Sequence, residues 1–242
     1  CSLQNWSSAS TGMFASQPDG AGGDPSGAAA SARYAGLCGA TAPAGEFVQD
    51  DRPGGIDRII ARFYVLNNGA NDPVVYVGND SGNNELFNVQ LIGGNAVLDA
   101  AGTTVQGATQ AGWNSIEIDW DSAGGSIGII VNGGTADTAT GISAASLANV
   151  QVGNIDVAAG GNVVLDGYEA HLSTPVGRIC NCNANGSADD VVNIQDIISV
   201  VNEASGGALS AGTPDCNEDG SITIQDIIQS VNVASTSGVC VI

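Results

Sequence analysis

The feature that most restricts how this chain can fold is a run of twelve residues, 215–226, which reads Asp-Cys-Asn-Glu-Asp-Gly-Ser-Ile-Thr-Ile-Gln-Asp. Side chains with oxygen atoms occupy its first, third, fifth, seventh and last positions, and glycine occupies the sixth, where a tight turn needs a residue that tolerates positive φ. Calcium is a hard cation that prefers oxygen ligands converging from such a loop. The spacing therefore predicts a calcium site with these ligands: Asp215, Asn217, Asp219, Ser221 and Asp226.

A related unit precedes this loop, because residues 194–198 (Ile-Gln-Asp-Ile-Ile) recur as residues 224–228. The repeat indicates an internal duplication of a loop followed by a short helix. The first loop carries neutral amides at its early positions, and about four extra residues, including Asp189, precede Val192. Fewer carboxylates bind calcium more weakly. We expect a second, weaker calcium site formed by these residues: Asn181, Asn183, Asn185, Asp190 and Asp196.

Each predicted helix carries branched apolar residues at positions i, i+3, i+4 and i+7, which is the spacing of one helical face. Because a narrow apolar face needs a partner, we expect the stripes of the two copies to pack on each other. The stripe residues are Ile194, Ile197, Ile198 and Val201 in the first copy, and Ile224, Ile227, Ile228 and Val231 in the second.

The six cysteines are an even number, in a chain that starts without methionine and has no long apolar run. This combination is typical of a mature secreted protein with disulfides. We expect one bridge between Cys1 and Cys38, and the other four cysteines to pair among themselves. Equivalent positions in the two loops favour Cys182 with Cys216, and Cys180 with Cys240 would then clasp the ends of the module. A lipidated Cys1, and with it attachment to a cell surface, remains an alternative.

The net charge of the chain limits the classes of molecule that it can bind. The formal net charge is −20, lysine is absent, and all five basic residues are arginines. Nucleic acid and anionic membrane surfaces are therefore unsuitable partners, and no transmembrane segment is expected. Copies of so acidic a chain repel each other, so that any tight assembly needs divalent cations, high salt or local burial.

Most of the chain reads as short strands. Residues 1–44 are an irregular Ser-, Ala- and Gly-rich start, with one strand expected near Trp6 and another near 32–38. After Pro43, alternating apolar runs are separated by Gly, Asn and Asp, which is the pattern of antiparallel strands and tight turns. This pattern favours a mainly β fold, a two-sheet jelly-roll sandwich. The predicted strands are 58–66, 74–77, 85–92, 96–98, 113–120, 126–131, 150–155 and 162–173.

Two family resemblances support this division of the chain. The runs 47–53, 58–64, 113–120 and 128–133 resemble the concanavalin A-like and laminin-G-like jelly rolls of secreted bacterial proteins. The resemblance covers roughly residues 30–178 and implies a β-sandwich, and we place that domain at residues 1–178. The duplicated loop-helix unit resembles the dockerin module, strongly in its second copy. That resemblance implies a small helical calcium module at residues 179–242, with two calcium sites and a surface that docks a partner domain.

The clearest enzymatic pattern is Glu117, Asp119 and Asp121, because concanavalin-like glycanases carry catalytic acids at alternate positions of one strand. However, the last acid of the family pattern is here the shorter aspartate, and aromatic residues that would stack on a sugar chain make up only 5% of the sequence. His171 has no recognisable serine or cysteine partner. We therefore expect no catalytic residues.

Two non-catalytic functions remain. The protein is expected to be a calcium-stabilised extracellular structural subunit that assembles, as a filament or matrix, through docking of its C-terminal module on a second copy or on another extracellular domain. The alternative is a secreted carbohydrate-binding lectin or adhesin. The ligand, and the choice between self and foreign partner, stay open at this level.

Overall fold

The computed structural model describes residues 2–16, 33–186 and 191–236. Within these ranges, the chain forms two seven-stranded antiparallel sheets and two α-helices. The sheets stack face to face as a jelly-roll sandwich, and the helices follow the last strand. The predicted mainly β jelly roll is confirmed.

The sheets are built from strands that are far apart in sequence. The first sheet has the order β1-β4-β13-β6-β7-β8-β9, and the second has the order β12-β11-β10-β5-β14-β3-β2. The strands are β1 (Ser8–Ala9), β2 (Phe14–Ser16), β3 (Gly39–Pro43), β4 (Glu46–Asp50), β5 (Arg58–Asn68), β6 (Val74–Asn79), β7 (Glu85–Ile92), β8 (Asn95–Ala100), β9 (Thr103–Ala108), β10 (Trp113–Asp121), β11 (Ser126–Val131), β12 (Asp137–Thr140), β13 (Asn149–Asn154) and β14 (Asn162–His171).

The core lies between the two sheets and follows from the alternation along the strands. On β10, Ile116, Ile118 and Trp120 point inward and are at most 1% exposed. The ring of Trp120 packs on that of Phe87 across the interior, with centroids 5.3 Å apart. Burial of these large apolar side chains supplies the main driving force for closing the sandwich.

The strands that were predicted from alternation are present, each within two residues of its predicted bounds. A tight turn of the kind expected between strands lies at Asn132 and Gly133: φ is 54° and 67°, and the N–H of Gly134 donates to the carbonyl of Val131 at 2.9 Å. Two consecutive positive φ values are typical of a type I′ turn.

Other strand predictions were incomplete or wrong. The expected strand at 32–38 is not formed by its described residues, and β3 begins only at Gly39. The strand expected near Trp6 is the short β1. β2, β3, β4, β9 and β12 were not predicted. Both β9 and β12 lie at sheet edges and expose most of their side chains, so that no apolar alternation marks them in the sequence.

A second apolar cluster lies on the outer face of the second sheet. Tyr64, Trp113 and Val164 point away from the main core and are at most 3% exposed. Tyr34 covers them, and its ring stacks on that of Tyr64 with centroids 3.7 Å apart. The N–H of Ile179, at the start of the C-terminal module, donates to the Tyr64 hydroxyl at 2.8 Å. The module therefore rests on the sandwich as a third layer.

The helices of the module are α1 (Ile194–Ala204) and α2 (Ile224–Thr236). The prediction that their apolar stripes pack on each other is wrong. Both helices instead bury a different face, which carries Asp196 and Val200 in α1, and Asp226 and Ser230 in α2. Only Ile227 of the two stripes packs against the module's core. Six stripe residues are between 37% and 67% exposed: Ile194, Ile198, Val201, Ile224, Ile228 and Val231.

Candidate calcium-binding module

The second predicted calcium loop is built around two buried carboxylates. Asp215 is 2% exposed and accepts hydrogen bonds from the N–H groups of Asp219 at 3.1 Å and Gly220 at 2.8 Å. Asp226 is fully buried and accepts from the N–H groups of Asn217 at 3.2 Å and Thr223 at 2.7 Å. The first and last predicted ligands therefore fold back onto the same loop.

The middle of this loop has the turn and the exposed oxygens that the pattern predicts. Gly220 has φ of 89°, the left-handed conformation expected at the sixth position. Asn217, Asp219 and Ser221 are exposed, and Asp219 Oδ1 accepts from the Ser221 N–H at 2.9 Å. Predicted ligands thus line both the buried and the open side of the loop.

The electrostatics of the loop disfavour its own negative charge. Burial raises the pKa of Asp215 to about 7, and the nearby charges of Asp226 and Asp219 add to the rise. Backbone hydrogen bonds from Gly220 and Asp219 act in the opposite direction. An ionised Asp215 is therefore costly in this place, and a bound cation would offset that cost.

The donor set fits a hard cation in its chemistry. All the predicted ligand side chains carry oxygen donors, as calcium requires, and none offers the sulfur or imidazole nitrogen that zinc prefers. Among the described residues, no group of three acidic, histidine or cysteine side chains is already gathered as a metal cluster. The two carboxylate oxygens of Asp215 and Oδ1 of Asp226 each accept one backbone N–H, which leaves each of them a further lone pair for a cation.

The first loop is organised differently from the second. Asp196 is fully buried, accepts from the Asn185 N–H at 3.0 Å, and closes a capping box with Asn193 at the start of α1. Asn181 turns its amide toward the second loop, where it donates to the carbonyl of Cys216 at 2.7 Å. Asn183 is buried, and Asp190 lies outside the described residues.

A disulfide joins the two loops. Cys182 and Cys216 are bonded, with their Cα atoms 4.8 Å apart, which confirms the bridge predicted from their equivalent positions. Cys38 and Cys180 are also disulfide-bonded. Their predicted partners, Cys1 and Cys240, lie outside the described residues, so that these two pairings stay predictions.

Sequence reasoning did not identify Glu218, which occupies the fourth position of the second loop and is only 8% exposed. The Tyr34 hydroxyl donates to Glu218 Oε1 at 2.9 Å, and Arg178 forms an ion pair with the same oxygen. Gln110 Nε2 donates to Glu218 Oε2 at 3.1 Å, and the Trp113 N–H donates to the Glu218 carbonyl at 2.8 Å. The loop is thereby fastened to the sandwich.

A second polar contact, also missed, joins α1 to the segment before β3. Arg33 Nη2 lies 2.5 Å from Glu203 Oε2, and the two side chains are 1% and 6% exposed. Ser210 donates to the same carboxylate through both its N–H and its hydroxyl, each at 2.7 Å. Arg33 and Glu203 belong to no sequence motif and lie far apart in the chain, so that the sequence alone does not indicate their contact.

The row of acidic residues on β10 lies on the outer face of the second sheet, as predicted. Glu117, the member of this row nearest the module, is covered by the segment that follows β14. Glu117 Oε2 accepts from the N–H groups of Val176 at 3.0 Å and Gly177 at 2.6 Å. The linker after β14 therefore contacts the outer face of the second sheet at this end of the row.

The remaining members of the row are also held by neighbours. Arg58 pairs with Asp119 at 2.7 Å through one nitrogen and lies 3.7 Å from Asp121 through another. His171 lies at the rim, where its Nε2 is 3.0 Å from Glu169 Oε1. Asp119 and Asp121 therefore share one arginine, and His171 contacts a carboxylate of its own strand, β14.

Comparison with known proteins adds little to this description. No protein-family model matches the chain, and no curated protein matches it in sequence. Among solved structures, "Cellulose induced protein, Cip1" is 13% identical, with a TM-score of 0.48, over 69% of this chain and 88% of that one. A "Sialidase" is 12% identical, with a TM-score of 0.43, over 60% of this chain. The "Alginate lyase from Alteromonas sp.272" is 8% identical, with a TM-score of 0.36, over 53% of this chain and 79% of that one.

The matched region amounts to only 16% of the sialidase chain. Similarity at this level assigns no function. Among the described residues, no helix has the length and apolar character needed to span a membrane.

The buried ion pair gives a stability prediction. Glu203→Ala should destabilise the protein by about 3–5 kcal/mol, because it leaves the Arg33 guanidinium buried without its counter-charge. Asp119→Asn is the matched control, because it removes an ion pair at the surface: the Asp119 side chain is 40% exposed and that of Arg58 is 36% exposed. Loss of this pair should lower the free energy of unfolding by about 1 kcal/mol or less. Urea unfolding of the two variants measures both changes. Equal costs would contradict the structural role assigned to the buried pair.

Proposed function

We propose that this chain is a non-catalytic, calcium-stabilised extracellular structural protein that assembles through its C-terminal module. The observation that carries the proposal is the outward position of the two apolar stripes. A folded chain normally buries branched aliphatic side chains, and a duplicated exposed set marks a contact surface.

The exposed stripe residues of the two helices, hereafter the docking stripe, are equivalent by position. Ile194, Ile198 and Val201 in α1 correspond, through the internal duplication, to Ile224, Ile228 and Val231 in α2. No arginine or lysine lies within either helix, so that the contact would depend on apolar burial. The cost of bringing together chains with a net charge of −20 is then reduced by salt or divalent cations.

The sandwich offers a candidate receptor on a second copy. A groove of about 300 Å³ runs over the outer face of the second sheet, beside Gly128 on β11. Its walls include Ile130, Thr138 and Pro175, and the absence of a side chain at Gly128 leaves its floor open. A contact between this groove and the docking stripe joins different surfaces of two copies. Repetition of a heterologous contact produces a filament when the rotation between copies does not close into a ring.

Calcium supports this function by stabilising the module. Asp215, Asn217, Asp219, Ser221 and Asp226 would hold one ion, and Asp196 with the amides of the first loop would hold another. Bound calcium would offset the negative charge of the buried carboxylates Asp196, Asp215 and Asp226, so that its binding free energy becomes folding free energy of the module.

Calcium titration of the full chain by isothermal titration calorimetry should show two binding events. Asp226→Asn should remove the tighter event, since the second loop has more carboxylates, and Asp196→Asn should remove the weaker one. Asp99→Asn, on β8 of the sandwich, is the control and should leave both events unchanged. A single event in the unmodified chain would contradict the first site, and the absence of any event would contradict both.

Assembly should depend on the docking stripe. In the presence of calcium, we expect filaments or large assemblies by electron microscopy, and their loss in Ile198→Asp/Ile228→Asp, because a buried charge without a partner is strongly unfavourable. Gly128→Val should weaken assembly by filling the groove. Val157→Asp tests the effect of charge alone, because Val157 is 78% exposed and lies on the sandwich.

Monodisperse particles of the unmodified chain, with calcium and with chelator, would contradict the self-assembly proposal. Loss of assembly in Val157→Asp to the same extent as in the stripe variant would contradict the assignment of the surface.

Glycan binding is the second candidate function, and one cavity of the sandwich favours it. A cavity of about 390 Å³ near β1 is lined by the rings of Trp6 and Tyr168 together with Arg52 and Asp166. Aromatic faces combined with a few polar groups are the usual lining of small-ligand sites. Binding on a glycan array that is lost in Trp6→Ala, together with monodisperse particles, would support this function in place of the first.

A further inference from the structure

The second calcium loop touches the sandwich through a residue that is not itself a predicted ligand. Glu218 stands between Asn217 and Asp219, the ligands at the third and fifth positions. Its φ is 60°, a conformation that non-glycine residues rarely adopt and that the surrounding contacts must maintain. A shift of Glu218 would therefore displace both neighbouring ligands.

The described contacts of the Glu218 side chain come from outside the loop. They are made by Tyr34, Gln110 and Arg178, and not by Asp215 or Asp219. The carboxylate thus gains its stabilisation only when the loop is in place on the sandwich.

The platform that receives Glu218 is rigid. Tyr34 is stacked on Tyr64 and also meets the edge of the Trp113 ring, with centroids 5.8 Å apart. Gly112 has φ of 91°, and a Cβ atom there would collide with the carbonyl of Glu218. The backbones at Gly112 and Glu218 are therefore too close to admit any side chain at position 112, and this close packing limits the positions that the loop can take.

The first loop has no comparable attachment at this position. Its fourth residue is Ala184, which is fully buried and has no polar side-chain atom. The carbonyl of Ala184 accepts from the Gly212 N–H at 3.0 Å, within the module. The duplication has thus produced one loop fastened to the sandwich and one loop without this attachment.

We propose that Glu218 is a positioning residue that makes the sandwich part of the second calcium site. By holding Glu218, the residues Tyr34 and Arg178 keep the neighbouring ligands Asn217 and Asp219 in place, which lowers the entropy that the loop loses on binding the ion. Coupling of this kind is reciprocal, so that calcium also strengthens the contact between module and sandwich. The inference rests on the proposed calcium site.

The test is a calcium titration of the full chain by isothermal titration calorimetry, with the variants Tyr34→Phe and Glu218→Gln. Each should weaken the tighter binding event by about 5-fold or more and leave the weaker event unchanged. Tyr168→Phe is the matched control, because that hydroxyl contacts Tyr76 at 3.4 Å and lies away from the module. The calcium affinity of the Tyr168→Phe variant should equal that of the unmodified chain.

A measurement on the unmodified chain covers the case in which a variant does not fold. Hydrogen exchange followed by mass spectrometry should show slower exchange at the amides around Trp113 with calcium than with chelator. The strand Glu85–Ile92, in the other sheet, serves as the internal reference and should be unaffected.

The two levels of the proposal fail in different ways. Equal calcium affinities in Tyr34→Phe, Glu218→Gln and the unmodified chain would overturn the coupling and leave the calcium site intact. Exchange around Trp113 that does not respond to bound calcium would also overturn it. No calcium binding by the unmodified chain would overturn the calcium site itself, and the coupling with it.

Discussion

The structure depends on how five arginines are placed among twenty-five acidic residues. Each arginine forms an ion pair with a carboxylate. The pair between Arg33 and Glu203 and the pair between Arg178 and Glu218 join the sandwich to the module, and Arg62 holds the linker by donating to the carbonyl of Gly177 at 3.1 Å. Three of the five arginines therefore lie where the third layer or its linker meets the sandwich.

This arrangement explains two features of the molecule together. The third layer and its linker cover part of the outer face that holds Glu117, so that this part of the face supports the module. The carboxylates that no arginine reaches, Asp215 and Asp226 among them, are left to backbone N–H groups or to a cation. The proposed stabilisation by calcium follows from this acidic composition, as does the prediction that nucleic acid is an unsuitable partner.

The parts of the fold that are local in sequence could be predicted, and those set by long-range contacts could not. Strand β10 was predicted because Ile116, Ile118 and Trp120 alternate with polar residues, and the bridge between Cys182 and Cys216 because the cysteines occupy equivalent loop positions. Nothing in the local pattern marks Glu218, whose partners on the sandwich lie 40 to 184 residues away in sequence. Its role depends on tertiary packing.

The sequence did not predict correctly which face of each helix is buried. Spacing at i, i+3, i+4 and i+7 predicts which residues share a face, but not which face turns inward. In both helices the inward face is fixed by a carboxylate, Asp196 or Asp226, that closes the preceding loop and caps the helix. The loop thus determines the rotation of its helix, and the apolar stripe is turned outward as a consequence. The predicted ligand at the end of each loop and the exposed docking stripe are two results of one constraint.

Differential scanning calorimetry of the full chain tests this view most directly, with calcium, with chelator, and with magnesium at the same concentration to account for general charge screening. We predict one cooperative transition in calcium, at a higher temperature than in magnesium or chelator, because the module and the sandwich share Glu218 and Arg33. A transition temperature that is the same in all three conditions, or a module that melts separately from the sandwich in calcium, would contradict it.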